Sequence, residues 1–135
     1  MKERVFLDSG IFIAFLNRRD GWHEQAVSLF GGPKPTWFTS YLVISETYSW
    51  FLHRMGEEAA RQFRFFLENL PDLKIMDASS NDHQETFENL DRFRGNKLSY
   101  VDAASLHYLN LKKITQVWST DFHLALTGIE VLPRS

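Results

Sequence analysis

Apolar residues along this chain follow two rhythms. Short runs rich in β-branched and aromatic residues recur at Val5-Phe-Leu, Thr36-Trp-Phe-Thr, Leu73-Lys-Ile-Met, Thr115-Gln-Val-Trp-Ser and Ile129-Glu-Val-Leu. Between them, apolar side chains return every three or four residues over Ile11–Asn17, His23–Phe30, Tyr41–Met55, Glu57–Leu70, Asp82–Phe93, Val101–Leu111 and Phe122–Leu126. The first rhythm predicts strands and the second helices. Strands separated by one or two helices call for a parallel sheet covered on both faces, because each crossover lays its helices over the sheet. The expected fold is therefore α/β, a three-layer α/β/α domain around a central parallel sheet of about five strands.

Breaks in the pattern carry turn chemistry: "GGPKP" from Gly31, "LPD" from Leu70 and "RGNK" from Arg94. None has the length of an interdomain linker, and no internal repeat or low-complexity tract interrupts the chain. One domain over residues 1–135 is expected.

Composition narrows the chemistry. The chain has no cysteine, which excludes disulfides, thiolate zinc sites and cysteine nucleophiles. No apolar stretch approaches a membrane span, and Asp8 interrupts the apolar run after Met-Lys-Glu-Arg, so a soluble, cytoplasmic protein with no membrane partner is expected. Twelve Phe and four Trp imply either a dense core or a covered hydrophobic face. A net charge of −2 argues against a nucleic-acid partner unless several acids are gathered in one metal site, which leaves the remaining surface mildly basic.

Four acids stand out. Asp8 closes the first strand, where ligands bind in open parallel sheets, although Asp is also a favoured helix N-cap. Asp121 repeats that placement after "TQVWST". Glu46 lies in "TSYLVISETYSWFLHRM", opposite an expected core stripe of Ile44, Tyr48, Phe51 and Met55. Its neighbours Leu42, Val43 and Trp50 are poor surface residues, so Glu46 is expected to face a cleft. Asp102 fits a capping box with Ser99, yet falls on the apolar stripe of Leu98, Leu106 and Leu109, where a carboxylate needs a positive partner. Individually each acid has a structural explanation; jointly they would converge if their strands are neighbours.

With these residues in hand, the sequence resembles the PIN-domain ribonucleases, and within them the VapC-like toxins of toxin–antitoxin pairs. The resemblance rests on "FLDSGIFIAFL", "DGWHEQA", "TSYLVISET", "LSYVDAAS" and "STDFHL", in order along nearly the whole chain. It implies that Asp8, Glu46, Asp102 and Asp121 form an acidic metal-binding cluster, with Ser119 positioning water or phosphate. It implies Mg²⁺ or Mn²⁺ as cofactor, which suits hard carboxylate ligands, and metal-assisted hydrolysis of RNA phosphodiesters. It further implies a cognate antitoxin as partner and a homodimer or larger assembly. Many relatives carry Asn or Ser two residues after the first acid; here that position is Gly10, and Ser9 is the candidate substitute.

The five histidines show no zinc-like spacing, and His123 is a candidate substrate contact only through its nearness to Asp121. Arg18, Arg19, Arg92, Arg94 and Lys97 are candidate RNA contacts. Surplus aromatics on "RQFRFFLENL" and "YSWFLHRM", notably Phe65 and Trp50, suggest a groove for a partner helix. Two alternatives remain at this stage: a catalytically silent PIN-like binding module, and a receiver-type phosphoacceptor with Asp77 as its acid. A phosphatase using a D-x-D pair is excluded by Gly10.

Overall fold

The computed structural model describes residues 2–134. Five strands form one parallel sheet: β1 (Arg4–Leu7), β2 (Thr36–Ser40), β3 (Lys74–Met76), β4 (Gln116–Trp118) and β5 (Glu130–Leu132). Their order is β3-β2-β1-β4-β5. Six α-helices connect them: α1 (Ser9–Leu16), α2 (His23–Gly31), α3 (Tyr41–Met55), α4 (Glu57–Glu68), α5 (Ser80–Arg92) and α6 (Tyr100–Leu111). The last expected helix is a 3₁₀ helix, Phe122–Thr127.

This order dictates the layers. From β1 the chain steps outward to β2 and β3, then returns past β1 to β4. Right-handed crossovers therefore place α1–α4 over one face and α5–α6 over the other. Helices within each group pack on one another. The direction of winding changes between β1 and β4, and the carboxyl ends of strands at such a switch point are where open parallel sheets bind ligands. β1 pairs with both neighbours, Phe6 lying opposite Phe38 of β2 and Val117 of β4.

Covering both faces explains why the central strand β1 reads as a continuous apolar run. Val5, Phe6 and Leu7 are all fully buried. Most of the aromatic surplus belongs to the core: Phe12 packs edge-on to Phe63 at 5.2 Å, Phe15 to Phe30 at 4.8 Å, and Phe30 to Trp118 at 5.1 Å. These rings join α1, α2 and α4 to the sheet.

One expectation about α3 is corrected. Its buried line is Val43, Thr47 and Phe51, whereas Tyr48 and Met55 are exposed. Thr47 fits the core because its hydroxyl donates to the Val43 carbonyl at 2.7 Å, so no polar group is stranded. Ile44 and Tyr48 of the expected stripe, together with Tyr41, instead line a groove of about 430 Å³ against Phe63 and Leu67 of α4. Phe65 and Trp50, the expected groove residues, lie elsewhere, beneath Arg61 and Arg54 respectively.

The receiver-type reading fails on topology. Its acid must follow a central strand, but Asp77 follows β3 at the sheet edge, and its carbonyl is held by the Tyr108 hydroxyl at 2.8 Å.

Candidate metal centre at the strand ends

Each of the four acids is placed by an element boundary. Asp8 leaves β1, and its N–H donates to the Trp118 carbonyl of β4 at 3.1 Å, extending the ladder by one bond. Although it occupies the N-cap position of α1, its carboxylate makes no capping bond. Asp8 is 3 % exposed, and Oδ2 accepts the Ser119 hydroxyl at 2.8 Å. That hydroxyl also accepts the Asp121 N–H at 3.0 Å. Ser119 is itself fully buried, so what it positions in the structure is Asp8 and Asp121.

Asp121 caps the 3₁₀ helix through Oδ1, which accepts the His123 N–H at 3.0 Å. Asp102 forms the expected capping box: Oδ2 accepts the Ser99 N–H at 3.2 Å, and the Ser99 hydroxyl accepts the Asp102 N–H at 3.0 Å. The same Oδ2 lies 3.3 Å from His123 Nδ1, and Asp121 Oδ1 lies 3.3 Å from that nitrogen too. Capping and site membership are thus compatible roles for one carboxylate. Opposite α6, the pair His107–Asp82 at 2.6 Å and the Asn89 bond to the Ala103 carbonyl at 3.0 Å lock α5 to α6.

Electrostatics ties the acids together. Burial pushes the Asp8 carboxyl up to about 7; the Ser119 hydroxyl and Ser9 N–H oppose this, while the charges of Asp102 and Glu46 add to it. Burial of the carboxyl end also raises the Glu46 pKa, opposed by the Ser9 hydroxyl and reinforced by Asp102 and Asp121. Glu46 as a whole residue is exposed rather than sunk in a cleft, so its carboxylate sits at the rim. Ser9 therefore serves Glu46.

Gly10 has its own cause. A Cβ there would lie 2.3 Å from Thr120 Oγ1 and 3.1 Å from the Thr120 nitrogen. The space beside the first acid is filled by Thr120, and only glycine permits that approach.

A tight subset stands out: ligand atoms of Asp102, Asp121 and His123 all lie within 4.8 Å of one another. His123 Nδ1 is buried and makes no hydrogen bond. Two hard oxygens, an orphaned nitrogen and two further carboxylates close by are a donor set that fits a divalent cation. Sequence reasoning undervalued His123; the available signal was its position two residues beyond an acid that caps a turn. Arg18, Arg19, Arg92, Arg94 and Lys97 are all exposed, and Arg94 pairs with Asp91 across 3.7 Å. A groove of about 520 Å³ lined by Arg92, His107 and Lys113 contains none of the four acids.

A parallel sheet in this order, with acids at the ends of β1 and β4 and on α3 and α6, defines the PIN class, and the chain belongs to the PIN domain family, whose model matches residues 5–129. Among solved structures it is similar to VapC20 of Mycobacterium tuberculosis, described as a sarcin–ricin loop cleaving toxin. That match has 25 % identity and a TM-score of 0.84, covering 93 % of this chain and 95 % of the other. A toxin–antitoxin complex from Klebsiella pneumoniae matches at 15 % identity and TM-score 0.68, covering 96 % of each chain. VapBC2 from Rickettsia felis, bound to a promoter DNA fragment, matches at 13 % and 0.68, over 95 % and 96 %. No curated protein matches. No helix among the described residues is long and apolar enough to cross a membrane.

Proposed function

We propose that this protein is a Mg²⁺- or Mn²⁺-dependent endoribonuclease that hydrolyses phosphodiesters in single-stranded or looped RNA, and that it is the toxin of a toxin–antitoxin pair. The observation that carries the reading is the gathering of Asp8, Glu46, Asp102 and Asp121 at the carboxyl ends of β1 and β4, where each perturbs or is perturbed by another. Asp102 and Asp121 would hold the ion, with Asp8 and Glu46 beside it. A divalent ion so held supplies stabilisation of charge on the attacked phosphate and activation of water.

The protein's own residues do the rest. Burial lifts the Asp8 carboxyl to about 7 in the metal-free protein, and a cation beside it would favour the carboxylate form. Ser119 fixes the Asp8 carboxylate and the Asp121 backbone in one register, and Ser9 steadies Glu46. No side-chain nucleophile is required. The likeness to a toxin that cleaves a structured RNA loop supports RNA as substrate. The relatives found with antitoxins support a cognate antitoxin as partner, and the groove between α3 and α4 offers it an apolar seat. We assign the working form to a homodimer or higher assembly in the cytoplasm.

The test is cleavage of structured RNAs by the purified protein with Mg²⁺ or Mn²⁺. Activity should stop on chelation and on Asp102→Asn. Cleavage unchanged in excess EDTA overturns the proposal.

A further inference from the structure

We propose that His123 Nδ1 is a ligand of the ion held by Asp102 and Asp121, and that this nitrogen makes the site favour Mn²⁺ and later transition ions over Mg²⁺. The inference rests on the metal-dependent reading above and assigns the ion's ligand set and preference.

The placement of His123 comes first. Asp121 Oδ1 accepts the His123 backbone N–H, which fixes the residue at the start of the 3₁₀ helix. The imidazole then folds back over its own cap. Although 42 % of the side chain remains exposed, Nδ1 is shut away from water between the two carboxylates. A buried ring nitrogen without a partner carries a desolvation cost, and native structures rarely leave such an atom idle. Of the described side chains, only the Trp37 indole shares that condition.

Distance distinguishes two uses for the nitrogen. If Nδ1 were a proton donor bridging the acids, at least one contact should shorten towards the 2.7–2.9 Å typical of a charged pair, that is, roughly 2.8 Å. Both contacts are 3.3 Å, and neither is a hydrogen bond. Adjacent ligands at about 2.1 Å from a six-coordinate ion are separated by about 3.0 Å, since neighbouring bonds meet at a right angle. Nδ1 and each of its two carboxylate oxygens are spaced close to that value. Both edges that meet at Nδ1 thus have the proportions of a coordination shell, and all three ligand atoms lie within 4.8 Å of one another.

Selectivity follows from the donor. Mg²⁺ favours oxygen ligands and retains its waters, whereas imidazole strengthens binding along the transition series. Loss of the nitrogen should therefore weaken Mn²⁺ much more than Mg²⁺.

The experiment uses the whole protein, with His123→Ala and His123→Asn checked for folding by circular dichroism and thermal melts. Mn²⁺ binding is measured by electron paramagnetic resonance, Mg²⁺ binding by competition, and ligation by nitrogen-14 couplings in pulsed spectra of bound Mn²⁺. The unmutated protein should show an imidazole coupling that both variants lose. Mn²⁺ affinity should fall about tenfold or more in His123→Ala, equivalent to about 1.4 kcal/mol, while Mg²⁺ affinity changes about twofold or less. Absence of the coupling, or unchanged or tighter Mn²⁺ binding in the variants, overturns the assignment and makes His123 a counter-ion that metal displaces. Failure of the unmutated protein to bind Mn²⁺, or binding indifferent to Asp102→Asn, instead removes the metal reading itself and this assignment with it.

Discussion

The Ser119 hydroxyl donates to Asp8 Oδ2 at 2.8 Å, joining the ends of β1 and β4 across 111 residues of chain. Ser119→Ala deletes a charge-assisted bond to a buried carboxylate, at a cost of about 1–3 kcal/mol. The loss should be larger at pH 8, where Asp8 is ionised, than at pH 5. Urea denaturation at the two pH values checks this; equal losses would mean the bond does not distinguish the charged form.

Asp8 also sets a pH dependence for the metal-free protein. Between the ordinary carboxylate value of 3.8 and about 7, the folded chain holds a proton that the unfolded chain has released. The folded state binds more protons in that window, so stability is full below about 4 and declines as pH rises towards about 7. The total is at most about 4 kcal/mol, from roughly three units at 1.36 kcal/mol each. Melting temperature in EDTA should therefore fall from pH 5 to pH 7.5. Asp8→Asn should flatten the profile, and an unchanged slope in that variant would place the effect on other groups.

Gly10 offers a packing test. Gly10→Ala drives a methyl group into Thr120, an overpacking expected to cost about 1–3 kcal/mol. Thr120→Ala should be mild alone and recover part of that loss in the double variant, a coupling that thermal melts of all four proteins would expose. Simple additivity would show that Thr120 is not what holds position 10 to glycine.

The groove between α3 and α4 should carry the antitoxin contact. Tyr48→Glu puts a charge at its wall without touching the acids, so RNA cleavage by the free protein should survive. Its complex with a co-expressed antitoxin should weaken at least about tenfold, about 1.4 kcal/mol. Calorimetry or co-purification measures this; undiminished binding would move the partner to another face.

Much of this architecture was legible from residue patterning. All five apolar runs are strands, within a residue or so of the expected bounds; β1 and β2, buried on both faces, announce themselves as near-continuous apolar segments, whereas the edge strands β3 and β5 keep exposed residues such as Ile75 and Glu130. Asp8 and Asp121 were legible through their place after such runs. What patterning misjudged was polar atoms satisfied locally. Thr47 is absent from the expected stripe of α3, yet its hydroxyl closes on the Val43 carbonyl and lets it join the buried line with Val43 and Phe51. His123 was undervalued because two-residue spacing from an acid has no periodic signature; only the 3₁₀ geometry turns the imidazole back. Gly10 read as a missing contact, whereas its space is taken by Thr120, distant in sequence.

The central place of β1 has a consequence for how the protein is made. Its Asp8 emerges from the ribosome early, yet β1 lacks the neighbour that carries Ser119 and Asp121 until β4 has been synthesised. Chains fold from the amino end as they appear, and pairings this distant in sequence form late. A nascent or prematurely terminated chain would display Asp8, Glu46 and Asp102 without the strand that brings Ser119 and Asp121 beside them. The order of synthesis then keeps the acidic cluster incomplete until nearly the whole polypeptide has left the machinery that produced it.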